Sequence, residues 1–151
     1  MNDLGKNKVA ILKDIRHDLI NPINAIIGYS EYVVEISSCS NISQLFIKDI
    51  NTIYKSSKEI MKNINNLFSQ THEDEVKIIK RLLNEDVLQF SIRTPLTTII
   101  GLTELFQAPD LYSQELKIDE INQSIIHIRS SSINLLKKIN NLNRHSSLDI
   151  S

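Results

Sequence analysis

The side chains best suited to chemistry in this 151-residue chain surround one histidine. Arg16, His17 and Asp18 are consecutive, and Asn21 follows the histidine by four residues. A neutral imidazole nitrogen is a good nucleophile toward a phosphoryl group, and histidine is largely neutral near pH 7. On a helix Asn21 shares a face with His17. Asp18 could accept a hydrogen bond from the ring, and Arg16 could attract an anion. This spacing predicts a site for phosphoryl chemistry.

The segments that carry this site occur twice in the chain. Residues 21–31 and 94–104 share a proline, an Ile-Ile-Gly triplet and a glutamate at an offset of 73, from Pro22 to Pro95. Residues 53–67 and 128–142 share Ile-x-x-Ser-Ser and Ile-Asn-Asn-Leu at an offset of 75, from Ile53 to Ile128. Such self-similarity indicates tandem structural units. We assign the first unit to residues 1–71 and the second to residues 72–151, within one domain.

Each unit contains two stretches in which apolar residues recur every three or four positions, which predicts helices. We expect helix one over about 3–36, and helix two from a capping box at Asn41 and Gln44 to about Ser69. Helix three begins after the polar junction at 71–74, and helix four covers about 113–143. Short connections between helices of this length predict an all-α fold, an antiparallel four-helix bundle of two tandem hairpins. The hairpins would bury each other as an intramolecular pseudo-dimer, so we expect a monomer rather than a homodimer.

One proline lies inside the first helix of each unit. Pro22 and Pro95 each remove a backbone hydrogen bond, so we expect a kink at both positions. The kink would expose the preceding turn, which carries His17 in the first unit and Phe90 in the second.

Residues 16–29 resemble the phosphoacceptor motif of the dimerisation and histidine-phosphotransfer domain of sensor histidine kinases, the HisKA type. That motif has a histidine, an acid, Leu, a variable residue, Asn or Thr, and Pro. The Ser and Ile-Asn-x-Leu pattern of 53–67 and 128–142 is similar to the second helix of that family. The resemblance implies that His17 is the phosphoacceptor, that Asp18 is its acid or base, and that Asn21 could position water for dephosphorylating a partner.

The resemblance also implies partners and a docking surface. A response-regulator receiver domain, a separate histidine kinase, or both would dock around Arg16, Ile20 and Asn24. The chain is expected to bind no intrinsic cofactor, since the receiver would bring the Mg²⁺ used in transfer.

The second unit departs from the motif where chemistry would occur. Phe90 replaces the histidine and Ser91 replaces the acid, while residues 93–96 keep the ordinary family sequence. Phenylalanine cannot carry a phosphoryl group, so we expect Phe90 to pack against its surroundings. His72, His127 and His145 have no matching motif, and we expect no metal site.

Composition excludes several other classes of function. The glycines are Gly5, Gly28 and Gly101, too few for a glycine-rich nucleotide lid, so the chain is not expected to be an autonomous kinase. A net charge of −1 gives no reason to expect nucleic acid or an anionic membrane. No apolar run approaches the length of a membrane helix, and the polar N-terminus lacks a signal peptide, so we expect a cytoplasmic protein.

Three functional hypotheses follow. The first is a histidine phosphotransfer protein that exchanges a phosphoryl group between His17 and a receiver aspartate. The second is a non-catalytic module that binds and inhibits or sequesters a response regulator or kinase. The third is a phosphatase-type regulator that uses Asp18 and Asn21.

Overall fold

A computed structural model describes residues 2–38, 41–68, 77, 84–108 and 110–149. Helix α1 spans Asn2–Ser38 and α2 spans Gln44–Phe68. The short α3, Glu85–Leu88, continues through a π-helical turn at Gln89–Arg93 into α4, Thr94–Phe106. A 3-10 turn at Glu115–Lys117 precedes α5, Asp119–Asp149. These described ranges contain no strand, which confirms the prediction of an all-α fold.

Two expected helix starts are corrected by the structure. Helix α2 starts at Gln44, and the cap is Ser43 rather than Asn41: the Ser43 hydroxyl accepts a hydrogen bond from the backbone N–H of Phe46 at 3.2 Å. The last long helix begins at Asp119 rather than near residue 113, because the 3-10 turn and an extended Ile118 come first. The expected junction at 71–74 and the expected start of helix three lie outside the described residues.

The core follows a heptad-like pattern in every long helix. Apart from adjacent pairs such as Pro22 and Ile23, successive buried positions are three or four residues apart, the spacing typical of helices that pack side by side in bundles. Buried positions of α1 recur, at the offset of 73, in the π-helical turn and α4. The pairs are Leu19 and Ile92, Pro22 and Pro95, Ile23 and Leu96, Ile26 and Ile99, Ser30 and Thr103, and Val33 and Phe106.

The buried positions of α2 likewise recur in α5 at the offset of 75. The pairs are Phe46 and Ile121, Ile50 and Ile125, Ile53 and Ile128, Ser57 and Ser132, Ile60 and Leu135, Ile64 and Ile139, and Leu67 and Leu142. Positions that are equivalent in the sequence repeat are therefore buried in both units.

Several buried hydroxyls within this core are satisfied inside their own helices. Ser30 donates to the carbonyl of Ile26 at 2.7 Å and Thr103 to that of Ile100 at 2.7 Å. Ser132 donates to the carbonyl of Ile128 at 2.7 Å. Because each hydroxyl bonds a preceding carbonyl, a small polar group can occupy a core position without losing a hydrogen bond.

The four long helical segments pack as a ring in which neighbours run antiparallel. Helix α1 packs between α2 and α5, and α4 closes the ring between the same two helices. Arg16 reaches Asn65 across α1 and α2, and Tyr29 meets His127 across α1 and α5.

One end of the ring is closed by an aromatic cluster. The rings of Phe46, Phe106 and Tyr112 lie 5.2–5.4 Å apart between centroids. The Tyr112 hydroxyl donates a 2.6 Å hydrogen bond to the Asp49 carboxylate. Burial, with the neighbouring Asp49 carboxylate, raises the pKa of Tyr112 to about 12. The loop after α4 is therefore attached to α2 by both apolar and polar contacts.

Candidate functional site

His17 lies on the exposed surface of α1, one turn before Pro22. Its ring nitrogen Nδ1 lies 3.3 Å from the side-chain nitrogen of Asn21, four residues later. The helix explains this contact, because side chains at positions i and i+4 lie one above the other on the same face. The sequence prediction that His17 and Asn21 share a face thus corresponds to a hydrogen-bonded pair.

The Asn21 amide can hold the imidazole in either neutral tautomer. With its NH₂ toward the ring, the amide donates to Nδ1 and the proton resides on Nε2. With the amide rotated so that Oδ1 faces the ring, Nδ1–H donates and Nε2 keeps a free lone pair. The second arrangement leaves an exposed nucleophilic nitrogen. A side chain that serves both arrangements suits a ring that must change its protonation during a reaction.

Asp18 takes part in this site through its backbone carbonyl. Among the described residues, the hydrogen bond to the His17 ring comes from Asn21 and none joins the ring to the exposed Asp18 carboxylate. The Asp18 carbonyl instead accepts a 3.1 Å hydrogen bond from the ammonium of Lys138 on α5. Pro22 explains why this acceptor is available, since its ring nitrogen has no N–H to donate to the carbonyl four residues earlier.

The second unit repeats this arrangement with a different side chain. Pro95 cannot donate to the carbonyl of Ser91, and that carbonyl accepts a 2.8 Å hydrogen bond from the side-chain amide of Asn63 on α2. Ser91 corresponds to Asp18 at the offset of 73, and Lys138 corresponds to Asn63 at the offset of 75. The second helix of each unit therefore donates a hydrogen bond to the carbonyl that the proline of the other unit leaves without its helical donor.

The sequence reasoning missed Lys138 and Asn63. A signal for them was present, because a proline inside a helix always leaves an acceptor that needs a donor. What the sequence could not supply was the identity of that donor, since it lies 120 residues away from Asp18 in one case and 28 residues from Ser91 in the other.

Arginines connect the first and second helix within each unit. The Arg16 guanidinium donates to the side-chain oxygen of Asn65 at 3.3 Å, and that of Arg93 donates to the side-chain oxygen of Asn140 at 3.0 Å. Asn65 and Asn140 are equivalent residues of the repeat. Arg16 is exposed, so its charge faces the solvent beside His17.

The residues proposed for docking differ in their exposure to solvent. Asn24 is exposed, two turns beyond His17 on the same face of α1, and the exposed Gly28 continues that face. A side chain added at Gly28 would meet no atom within 4 Å, so the surface there is open. Ile20 is half-buried and packs against the hydrophobic core, which limits what it can offer to a partner.

Phe90 is not packed against its surroundings, which corrects the expectation from the sequence. Its side chain is 74% exposed, the largest exposed fraction among the large hydrophobic residues described. The reason is its helical position: Phe90 is equivalent to His17, on the outward face, while the next buried position is Ile92. The π-helical turn that contains Phe90 has no counterpart in α1, where the helix stays α-helical through Pro22.

The other histidine whose side chain the structure describes, His127, lies in a contact between helices. His127 stacks on Tyr29 with 4.7 Å between ring centroids and 9° between planes, an α1–α5 packing contact. His72 lies outside the described residues, as does the side chain of His145. Within the described part of the chain, no group of three or more His, Cys, Asp or Glu side chains could hold a metal ion. None of the described helices is long and apolar enough to cross a membrane.

The chain matches no protein-family model, no curated protein and no solved structure. Functional inference therefore depends on the residues around His17 and on their geometry.

Proposed function

We propose that this protein is a histidine phosphotransfer protein in which His17 carries the phosphoryl group and exchanges it with the aspartate of a receiver domain. The observation that carries the proposal is the exposed His17 imidazole with its Nδ1 3.3 Å from the Asn21 amide. That arrangement orients the ring and leaves Nε2 toward the solvent. Transfer between proteins is mainly a matter of positioning, so an exposed and oriented imidazole meets its chief requirement.

The transfer step uses groups of this chain and of the partner. The Nε2 lone pair attacks phosphorus as the bond from phosphorus to the receiver carboxylate oxygen breaks, and the carboxylate leaves as an anion. The Nδ1 proton, held by the Asn21 oxygen, can then be lost to solvent or to the Asp18 carboxylate, which acts as the base. Arg16 offers a solvent-facing cation for the incoming phosphoryl oxygens.

As part of this proposal, the bundle is an intramolecular pseudo-dimer of two hairpins. Two observations support it. The buried positions are equivalent in the two units. In addition, each unit donates a side-chain hydrogen bond to a backbone carbonyl of the other, from Lys138 to Asp18 and from Asn63 to Ser91. In such a pseudo-dimer the second unit supplies packing surface to the first, so it can lose its own histidine without losing its structural role.

The proposal is tested by mixing the protein with phosphorylated receiver domains and measuring acid-labile, alkali-stable label on the protein. We expect label on the wild type and none on His17→Gln, because among the histidines whose side chains the structure describes only His17 pairs with an asparagine amide. His127→Gln is the matched control and should be labelled like the wild type. Equal label on His17→Gln, with an unchanged circular dichroism melt, would sink the proposal.

A second candidate function is a non-catalytic module that binds a response regulator or a kinase. The exposed Phe90 ring favours it, since an aromatic side chain left in solvent is a frequent anchor of protein interfaces. Phe90→Ala should then weaken binding about tenfold while His17→Ala leaves both binding and biological effect intact. The opposite pattern, loss of effect in His17→Ala alone, would favour phosphotransfer.

A further inference from the structure

We infer that Lys138, a residue of the second unit, is a phosphoryl-binding residue of the His17 site. The inference rests on the proposed function and adds a residue that the phosphoacceptor motif does not contain. The contact that leads to it is the 3.1 Å hydrogen bond from the Lys138 ammonium to the carbonyl of Asp18, the residue after His17.

The backbone of α1 holds the Lys138 ammonium at this place. Pro22 leaves the Asp18 carbonyl without its α-helical donor, and a lysine head group carries three donors on a flexible four-carbon stem. One donor bonds the carbonyl, and the others remain for a second acceptor. The carbonyl is neutral, so this hydrogen bond does not itself neutralise the positive charge of the ammonium.

The equivalent contact in the second unit lacks that charge. Asn63 occupies the position of Lys138 and bonds the Ser91 carbonyl with a neutral amide. The unit that keeps its histidine thus receives a cation, while the unit with Phe90 receives a neutral donor. Satisfying a carbonyl needs no charge, as Asn63 demonstrates. The positive charge of Lys138 is explained if an anion forms beside Asp18, and a phosphoryl group on His17 would be such an anion.

The same charge would act on both formation and loss of phosphohistidine. The attack of Nε2 on phosphorus places two or more negative oxygens beside α1, and a nearby ammonium stabilises them. For a solvent-exposed charge pair the effect on a rate or half-life is about threefold and weakens with added salt.

Potassium phosphoramidate tests this without a partner protein. The ring nitrogen forms a bond to phosphorus as the P–N bond of the reagent breaks; the already protonated amide nitrogen leaves as ammonia, and the ring sheds its Nδ1 proton to solvent. ³¹P NMR of the full chain then gives the rate of formation and the half-life of phosphohistidine at position 17. His17→Gln identifies the signal.

We expect Lys138→Gln to slow formation or shorten the half-life about threefold, and Lys138→Met to do the same while keeping the apolar stem. Lys138→Arg should restore most of the effect, and Lys137→Gln, which removes an equal charge from an exposed neighbouring position, should behave as wild type. In 0.5 M salt the difference between wild type and Lys138→Gln should shrink. These variants should melt within about 3 °C of the wild type, since the contact is exposed.

Several results would overturn the inference. Lys138→Gln and wild type could be identical, Lys137→Gln could match Lys138→Gln, or His17 could fail to react with phosphoramidate. Transfer from phosphorylated receivers is measured separately on the same variants. Receiver transfer with no Lys138 effect would reject this inference alone, whereas a Lys138 effect with phosphoramidate but no transfer from any receiver would reject the proposed function alone.

Discussion

At the scale of single residues, the pair of His17 and Asn21 is the best-defined feature of the candidate site. The two side chains meet because of helical spacing, and no residue from another helix is needed to bring them together. The amide gives the exposed imidazole a fixed partner, so the ring spends less of its time in rotamers that cannot reach a substrate. In the proposed function, the contribution of Asn21 is the orientation of a nucleophile.

Asn21→Ala should therefore slow transfer from a phosphorylated receiver to His17 by about fivefold, the rate equivalent of one hydrogen bond of about 1 kcal/mol. Single-turnover transfer at saturating receiver measures this rate. Asn41→Ala, at an exposed position between α1 and α2, is the control and should leave the rate unchanged.

The same variant separates the phosphatase-type hypothesis from phosphotransfer. If Asn21 positions water for the receiver, Asn21→Ala should lengthen the life of the receiver phosphoryl group while label still reaches His17. An unchanged transfer rate together with unchanged receiver dephosphorylation would show that the amide matters to neither process.

At the scale of elements, the two prolines have unequal consequences. Helix α1 continues as an α-helix through Pro22, whereas Pro95 follows a π-helical turn at Gln89–Arg93. The Thr94 hydroxyl donates to the carbonyl of Gln89, five residues earlier, at 3.0 Å. A π turn holds one more residue than an α turn. Side chains around Phe90 therefore lie in a different local geometry from those around His17.

The Asn63 amide is expected to stabilise this turn through the Ser91 carbonyl. Asn63→Ala should lower the free energy of unfolding by about 1 kcal/mol, because the partly buried carbonyl loses its donor. In a Pro95→Ala background residue 95 regains an N–H, so the same substitution should cost less than about 0.5 kcal/mol. Urea denaturation of the double-mutant cycle measures the difference.

Asn134→Ala, on the exposed face of α5, serves as the control for this cycle and should change the free energy of unfolding by less than about 0.5 kcal/mol. Equal costs of Asn63→Ala in the two backgrounds would contradict the account given for Pro95.

At the scale of the whole molecule, contacts between the units hold the ring of helices together at both ends. At the His17 end, Lys138 and Asn63 each reach across to the other unit. At the opposite end, Tyr112 from the loop after α4 bonds Asp49 on α2, and the Glu115 carboxylate accepts a 3.4 Å hydrogen bond from the backbone N–H of Ser43 at the start of α2. A negative charge at a helix N-terminus is favourable.

Because of Tyr112, the free energy of unfolding should depend on pH in the alkaline range. Its pKa is raised from the ordinary 10.0 to about 12 by burial and by Asp49, so the folded state holds the phenol proton that the unfolded state has lost. The free energy of unfolding contributed by this group is full below pH 10 and falls as the pH rises from 10 to 12.

Tyr112→Phe should accordingly be less stable than wild type at pH 7, by about 1 kcal/mol for the lost hydrogen bond, and should show a flatter decline above pH 10. Thermal melts between pH 7 and pH 11.5 compare the two. Tyr32→Phe, which alters an exposed ring on α1, is the control for general tyrosine ionisation. A parallel decline in wild type and Tyr112→Phe would contradict this account.

The sequence by itself determined what depends on periodicity. Apolar spacing predicted the helical composition, the offsets of 73 and 75 predicted which positions are equivalent, and the i, i+4 spacing predicted that His17 and Asn21 share a face. These predictions succeed because a helix fixes the relation between residues close in sequence.

Only the tertiary structure decided the contacts between helices. The bond from Lys138 to Asp18 and that from Tyr112 to Asp49 depend on how separate helices are aligned. Alignment follows from the packing of the entire core, and residues far apart in sequence meet only once that packing is complete. A proline inside a helix predicts that a carbonyl will need another donor, but the packing of the bundle determines which side chain provides it.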